Sequence, residues 1–241
     1  MSEETVVLPR EQAYKLLFEK YRCASLTHSD IHEHVPILQE YASRCNSILE
    51  AGVRSGVSSW AFLTGLCNHM KMQKLHSSSS TESQKTPLLV SIDIESCPNI
   101  QIISTLASSI GIQFKFWQGN DLNYPLDSKE DKFDIVFIDT WHVYGQLKRE
   151  LAKFAPVCNQ YIIMHDTQVD EFAGESIRCG HDIIKEHQET GFSIGEIASG
   201  LRPAIIEFLY EHPEFKIEKR LTNNNGLTIL QRVINAPKQE C

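Results

Sequence analysis

The sequence predicts an α/β protein: a seven-stranded, mostly parallel sheet with a C-terminal antiparallel hairpin, preceded by an N-terminal helical extension. Three observations carry this. Near-continuous apolar runs ending in a polar or acidic residue alternate with stretches of helical periodicity, as parallel strands buried on both faces do. The first run leads through a glycine-bearing turn into a helix start, Ser47-Ile48-Leu49-Glu50-Ala51-Gly52-Val53-Arg54-Ser55-Gly56-Val57-Ser58. Near the C-terminus, two further runs flank Thr222-Asn223-Asn224-Asn225-Gly226, and Asn-Gly between apolar runs is a strong hairpin signal.

The elements follow in order. Arg10 to Arg22 reads as a helix, with Ala13, Leu16, Leu17 and Tyr21 at helical spacing. A second helix is expected from the cap-like Ser29-Asp30, carrying Ile31, Val35, Ile37, Leu38 and Tyr41. Together they form an extension over residues 1–45 that could cover a cofactor site, build a homo-oligomer interface, or simply pack on the sheet. Five strands are expected over Ser47 to Glu50, Leu88 to Asp93, Gln113 to Trp117, Phe133 to Asp139 and Tyr161 to His165. Helices are expected over Val57 to Met70, Pro98 to Ile110, Val143 to Phe154 and Gly174 to Thr190. Phe215 to Leu221 and Leu227 to Val233 supply the hairpin. The main domain is thus set at residues 46–235. It holds a polar serine-rich insertion over 76–86, read as a mobile surface loop, and a tail follows over 236–241.

Bulk properties exclude several classes. A net charge of −8 disfavours an extended nucleic-acid surface, which needs clustered Lys and Arg. No apolar stretch is long enough to span a bilayer, and the acidic start Met1-Ser2-Glu3-Glu4 predicts no secretory signal. The 7 cysteines are scattered and never C-x-x-C, which suits reduced thiols in a cytoplasmic setting.

The turn after the first strand indicates the ligand class. Its glycines allow positive φ and close backbone approach, and the following helix start offers N–H groups to an anion. The spacing E-x-G-x-x-x-G lacks the G-x-G-x-x-G pattern of dinucleotide sites, which disfavours an NAD-dependent oxidoreductase. No Lys-Ser or Lys-Thr follows the last glycine, so it is not a phosphate-gripping P-loop. An ordinary strand–turn–helix connection fits the same residues.

Acids recur at the strand ends. Asp93 ends the second strand, where a carboxylate can accept hydrogen bonds from ribose hydroxyls or cap a helix. Asp121, in Gly119-Asn120-Asp121 after the third, could hold an adenine amino group or make an Asx turn. Asp139 and Asp166 close the fourth and fifth strands, and such a pair suits Mg²⁺ or Mn²⁺. His142 and His165 are candidate bases, and His165 a candidate metal ligand; residue type alone does not choose between them as base. Tyr144 and Lys148 begin the next helix.

The turn resembles motif I of class I S-adenosylmethionine (SAM) methyltransferases, with Arg54 in place of a glycine. Further segments are similar to the group of that class that includes cephalosporin-hydroxylase-like proteins (methyltransferase domain family 24-like). They are Phe137-Ile138-Asp139-Thr140-Trp141-His142-Val143-Tyr144-Gly145-Gln146-Leu147, Ile163-Met164-His165-Asp166-Thr167, Gly200-Leu201-Arg202-Pro203-Ala204-Ile205-Ile206-Glu207-Phe208-Leu209 and Thr222-Asn223-Asn224-Asn225-Gly226-Leu227-Thr228. The resemblance runs from about Ser29 to Val233. It implies a Rossmann-like fold, SAM as cofactor, and O-methylation of a small-molecule or sugar-like (glycoside-like) hydroxyl, with Mg²⁺ or Mn²⁺ at Asp139, Asp166 and His165. It implies cofactor contacts from Glu50, Gly52, Arg54, Ser55, Gly56, Asp93, Asp121 and Asp139, and catalysis by Asp139 with His142 or His165. Thr167 stands where metal-dependent relatives often carry a carboxylate or amide. A SAM-binding or regulatory protein of the same fold without catalysis is the alternative. Substrate recognition is expected on Glu171 to Gly180 and Ser199 to Pro203.

Overall fold

A computed structural model describes residues 7–76 and 85–233. Most of the serine-rich insertion and the whole 236–241 tail lie outside the described residues. The seven strands form one sheet in the order β3-β2-β1-β4-β5-β7-β6. By its contacts the chain forms two compact units, Met1–Pro125 with Phe133–Ile135, and Leu126–Lys132 with Val136–Cys241.

The first unit holds α1 (Arg10–Leu26), α2 (Val35–Ala42), β1 (Ser47–Ala51), α3 (Val57–His76), β2 (Leu88–Asp93), α4 (Ile100–Ile110) and β3 (Gln113–Gln118). β1 is buried along its whole length and pairs in parallel with β2, which pairs in parallel with β3. The register sets Glu50 opposite Ser91. β3 alternates exposed and half-buried residues along much of its length, with Lys115 exposed, as suits an edge strand. The N-terminal helices pack on helices of this unit, α1 on α3 and α4, and α2 on α3. The α2–α3 crossing is close because Gly65 has no side chain; a Cβ there would lie 2.3 Å from that of Ala42.

The second helix begins later than its sequence suggests. His32–His34 forms a 3₁₀ turn, and α2 starts at Val35 with Pro36 in its first turn. Proline lacks an N–H that would be unsatisfied there anyway, so it marks the start. Asp30 does not cap the helix; its carboxylate accepts a hydrogen bond from Arg54 at 2.7 Å.

β4 (Phe133–Ile138) runs from the first unit into the second. The second unit continues with α5 (Tyr144–Phe154), β5 (Cys158–His165), α6 (Glu175–Arg178), α7 (Ile183–Thr190), α8 (Ile194–Ala198), α9 (Leu201–Glu211), β6 (Phe215–Leu221) and β7 (Leu227–Arg232). β7 pairs antiparallel with both β5 and β6, so the expected C-terminal hairpin is present. Its loop is longer than a two-residue turn. Asn224, Asn225 and Gly226 all have positive φ, and the Asn225 carbonyl accepts from the N–H groups of Gln168 and Val169, each at 2.9 Å.

The single helix expected over Gly174 to Thr190 is two. Gly180 turns left-handed (φ 68°) after α6, and the Asp182 carboxylate restarts the chain as α7 by accepting from the N–H groups of Ile184 and Lys185. A capping side chain competes here with continuation of the helix and wins.

Candidate functional site

In the first unit the turn after β1 has the strained backbone its glycines suggest. Gly52, Arg54 and Gly56 have φ of 89°, 49° and 81°. Arg54 is the one without glycine's freedom, and Asp93 holds it there. Asp93 Oδ2 accepts from the N–H groups of Val53 (2.8 Å) and Arg54 (2.7 Å), and Oδ1 accepts from Glu95 (2.9 Å). The end of β2 therefore shapes the turn at the end of β1. Ser55 is tied in through its carbonyl, which accepts from Asn99 Nδ2 at 2.8 Å.

Glu50 is fully buried, and its carboxylate accepts from the hydroxyls of Ser58 (2.6 Å), Ser59 (2.8 Å) and Ser91 (2.6 Å). Three hydroxyl donors satisfy this buried carboxyl group. Glu50 thus braces the first turn of α3 against β1 and β2 from inside the protein. Past β3, Asn120 makes the local turn, its side chain accepting from Leu122 N–H at 2.9 Å; Asp121 opens a short 3₁₀ turn and is buried. The backbone bond from Gly119 N–H to the Asp93 carbonyl (2.8 Å) brings this segment beside Asp93.

The second unit gathers the remaining candidates. Asp139 follows β4, His142 lies in the turn before α5, and His165 and Asp166 end β5. His142 Nε2 is 3.2 Å from Asp139 Oδ1 and 3.2 Å from Asp166 Oδ2. His165 Nδ1 is 3.3 Å and 3.2 Å from the same two carboxylates, while its Nε2 meets the Asn224 carbonyl at 3.2 Å. Asp166 is a non-glycine residue at φ 56°, held there by its surroundings. Its Oδ1 is buried with no hydrogen-bond partner among the described residues.

Burial disfavours charge on Asp139, His142 and His165, and their attraction to the groups around them outweighs it. His142 is held well above its ordinary value by Asp139, Asp170 and Asp166, against the pull of desolvation. His165, likewise desolvated, is raised to about 10 by Asp139 and Asp166. Asp139 stays far below the usual carboxylate range despite burial, because both imidazoles face it.

Asp139, His142 and Asp166 each offer a ligand atom, all within 4.8 Å of one another. The two carboxylates suit Mg²⁺ or Mn²⁺, the imidazole shifts the preference from Mg²⁺ towards softer divalent ions, and Asp166 Oδ1 is a buried acceptor without a hydrogen-bond partner among the described residues. The residues therefore fit a divalent cation. Thr167 does not join them; its hydroxyl accepts from Thr228 at 2.9 Å. Tyr144 and Lys148 both turn to Glu207 of α9.

Asp170, outside the sequence-derived set, and Glu175 and Arg178, in the segment expected to recognise substrate, surround the cluster. Asp170 Oδ2 and Glu175 Oε2 lie 3.4 and 3.5 Å from His142 Nδ1. Arg178 grips Asp170 with both arms, at 2.6 and 2.9 Å. The available signal was spacing: Asp170 lies four residues past Asp166 and bonds back to its carbonyl, so one turn of chain carries it towards the cluster. The serines around Glu50 were adjacent in sequence (Ser58, Ser59) or set by strand register (Ser91).

No protein-family profile matches the chain, and no curated protein matches it in sequence. Solved structures do match in fold. An O-methyltransferase from Bacillus cereus in complex with SAH shares 14% identity, with 94% of this chain and 93% of that chain covered at a TM-score of 0.50. A Corynebacterium glutamicum protein shares 16% over 93% and 91% of the two chains at 0.56. An SAH-bound methyltransferase from Podospora anserina shares 15% over 94% and 98% at 0.51. The chain has the Rossmann-like fold of SAM-dependent O-methyltransferases, as its motifs led us to expect.

Proposed function

We propose that this protein is a SAM-dependent O-methyltransferase acting on a hydroxyl of a small-molecule or sugar-like acceptor. The observation that carries the reading is the half-buried Asp139–His142–Asp166 cluster, with its orphaned carboxylate oxygen on the buried Asp166, in a fold shared with structures solved with SAH bound. SAM, when bound, supplies an electrophilic methyl group on a sulfonium. The Gly52–Gly56 turn, with Arg54 and Ser55, would hold its methionine end, Asp93 its ribose and Asp121 its adenine. Glu50, whose carboxylate accepts from Ser58 and Ser59 at the start of α3, would join the turn in holding that end.

Asp139 would orient the acceptor oxygen, and His142 or His165 would take its proton. Much of the rate enhancement would come from alignment, which is worth up to ~7–11 kcal/mol in well-oriented systems. A divalent cation held by Asp139, His142 and Asp166, with His165 beside them, would supply stabilisation of an alkoxide. The free thiols of Cys23, Cys45, Cys67, Cys97, Cys158 and Cys179 fit a reducing, cytoplasmic setting.

The test is a calorimetric titration with SAM, with and without Mg²⁺, followed by an acceptor screen. Micromolar SAM binding and methyl transfer to a hydroxyl are expected. Absence of SAM binding under both conditions would overturn the reading, and full activity in excess chelator would remove the metal from it.

A further inference from the structure

His142 lies between two pairs of carboxylates. Its Nε2 faces Asp139 and Asp166, each at 3.2 Å, and its Nδ1 faces Asp170 at 3.4 Å and Glu175 at 3.5 Å. The Nδ1 contacts are of ion-pair length, and this nitrogen is buried without a hydrogen-bond partner among the described residues, with the Asp170 carboxylate the nearest acceptor. The two sides differ in how they are anchored. Asp170 is fully buried and takes both arms of the Arg178 guanidinium. Its own N–H bonds to the Asp166 carbonyl (3.1 Å), and its carbonyl accepts from Leu201 N–H (2.8 Å). Gly200 packs against that carbonyl so closely that a Cβ would lie 2.3 Å from it. Glu175 joins the same frame, its N–H donating to the His142 carbonyl at 2.9 Å and its Oε2 accepting from His142 N–H at 3.3 Å.

We propose that Asp170, fixed by Arg178, is a positioning residue that takes the Nδ1 proton of His142 in a hydrogen bond and so presents Nε2 to the Asp139–Asp166 pair. An imidazole binds a cation through one nitrogen only when its other nitrogen carries the proton, and a carboxylate on that other side fixes the tautomer and the ring plane. His165 differs in what stands behind it: its outer nitrogen meets a backbone carbonyl in the hairpin loop rather than an anchored carboxylate, while Nδ1 is flanked by both acids. His142 is the imidazole that groups with Asp139 and Asp166 as a ligand set, and His165 also ties the end of β5 to the hairpin loop. This rests on the reading of the cluster as the metal-holding part of a methyltransferase.

The test compares Mn²⁺ binding, by electron paramagnetic resonance of the free ion, in the wild-type protein and in Asp170→Asn. SAM affinity and thermal midpoint are measured on the same samples. Loss of a carboxylate behind a histidine ligand is expected to weaken Mn²⁺ about 10–100-fold, with SAM affinity unchanged. In the Mg²⁺-loaded wild type, long-range ¹H–¹⁵N spectra should find the His142 proton on Nδ1. Arg178→Lys, which keeps the charge, should recover part of the affinity lost in Arg178→Gln; this pair carries the test if Asp170→Asn does not fold.

Equal Mn²⁺ affinity in Asp170→Asn, a proton found on Nε2, or parallel loss of Mn²⁺ and SAM binding would each overturn the inference and leave the methyltransferase reading standing. So would a wild type that binds SAM but no Mn²⁺. Only a wild type that binds neither overturns both.

Discussion

Asp93 accepts three backbone N–H bonds, two of them from the turn that holds Arg54 in a left-handed conformation. Asp93→Ala is therefore expected to weaken SAM by at least tenfold through two routes, loss of the proposed ribose contact and release of the turn. Each deprived N–H carries a cost of about 1–3 kcal/mol where it is buried. Calorimetry reads the affinity, and an unchanged value would dismiss both roles. The histidines make a second residue-level prediction. His165 titrates near 10 in the folded protein against about 6.5 when unfolded, so the folded state holds its proton more tightly. The stability this confers on the metal-free protein is complete below about pH 6.5 and is lost as pH rises through about 10. Urea midpoints at pH 6 and pH 10 should differ less in His165→Asn than in the wild type. Because a cation must displace protons from His142, Mn²⁺ affinity should rise with pH and its binding should release protons, measurable in buffers of different ionisation enthalpy. An affinity that does not change with pH would place the cation away from His142.

At the scale of elements, the cluster depends on loops that other elements hold in place. The hairpin loop between β6 and β7 docks its Asn225 carbonyl on Gln168 and Val169, just past Asp166. Gly226 makes this possible: its φ is 97°, and a Cβ would lie 2.5 Å from the Gln168 backbone nitrogen. Gly226→Ala should cost about 1–3 kcal/mol from the strained conformation alone, visible as a lower thermal midpoint, and should weaken Mn²⁺ more than SAM. The break between α6 and α7 is equally specific. Asp182→Ala removes the side-chain cap of α7 and should cost about 1 kcal/mol, with no effect on Mn²⁺; a continuous helix over 174–190 would instead be indifferent to the change. Among the described residues no helix is long and apolar enough to cross a membrane.

For the whole molecule, a ligand that binds only the folded state adds stability by mass action, about 2.7 kcal/mol at one hundred times its dissociation constant. SAM should therefore raise the thermal midpoint and NAD should not. The reverse result would return the protein to the oxidoreductase class that the spacing of the β1 turn disfavours.

The sequence by itself determined the strand ends, the glycine turn, the terminal hairpin and the acids and histidines at β4 and β5. These are local signals: period, turn chemistry and the polarity that closes a buried strand are written in neighbouring residues. Only the tertiary structure decided what those groups face. Glu50 meets Ser91 because of β1–β2 register, and Asp93 reaches the N–H groups of a turn some forty residues earlier in the chain. His142 and His165 are alike in sequence, but Asp170 and Arg178 stand behind one and a loop carbonyl behind the other. The role of an ionisable group is set by the charges and donors that packing brings within a few ångströms, and those come from distant parts of the chain.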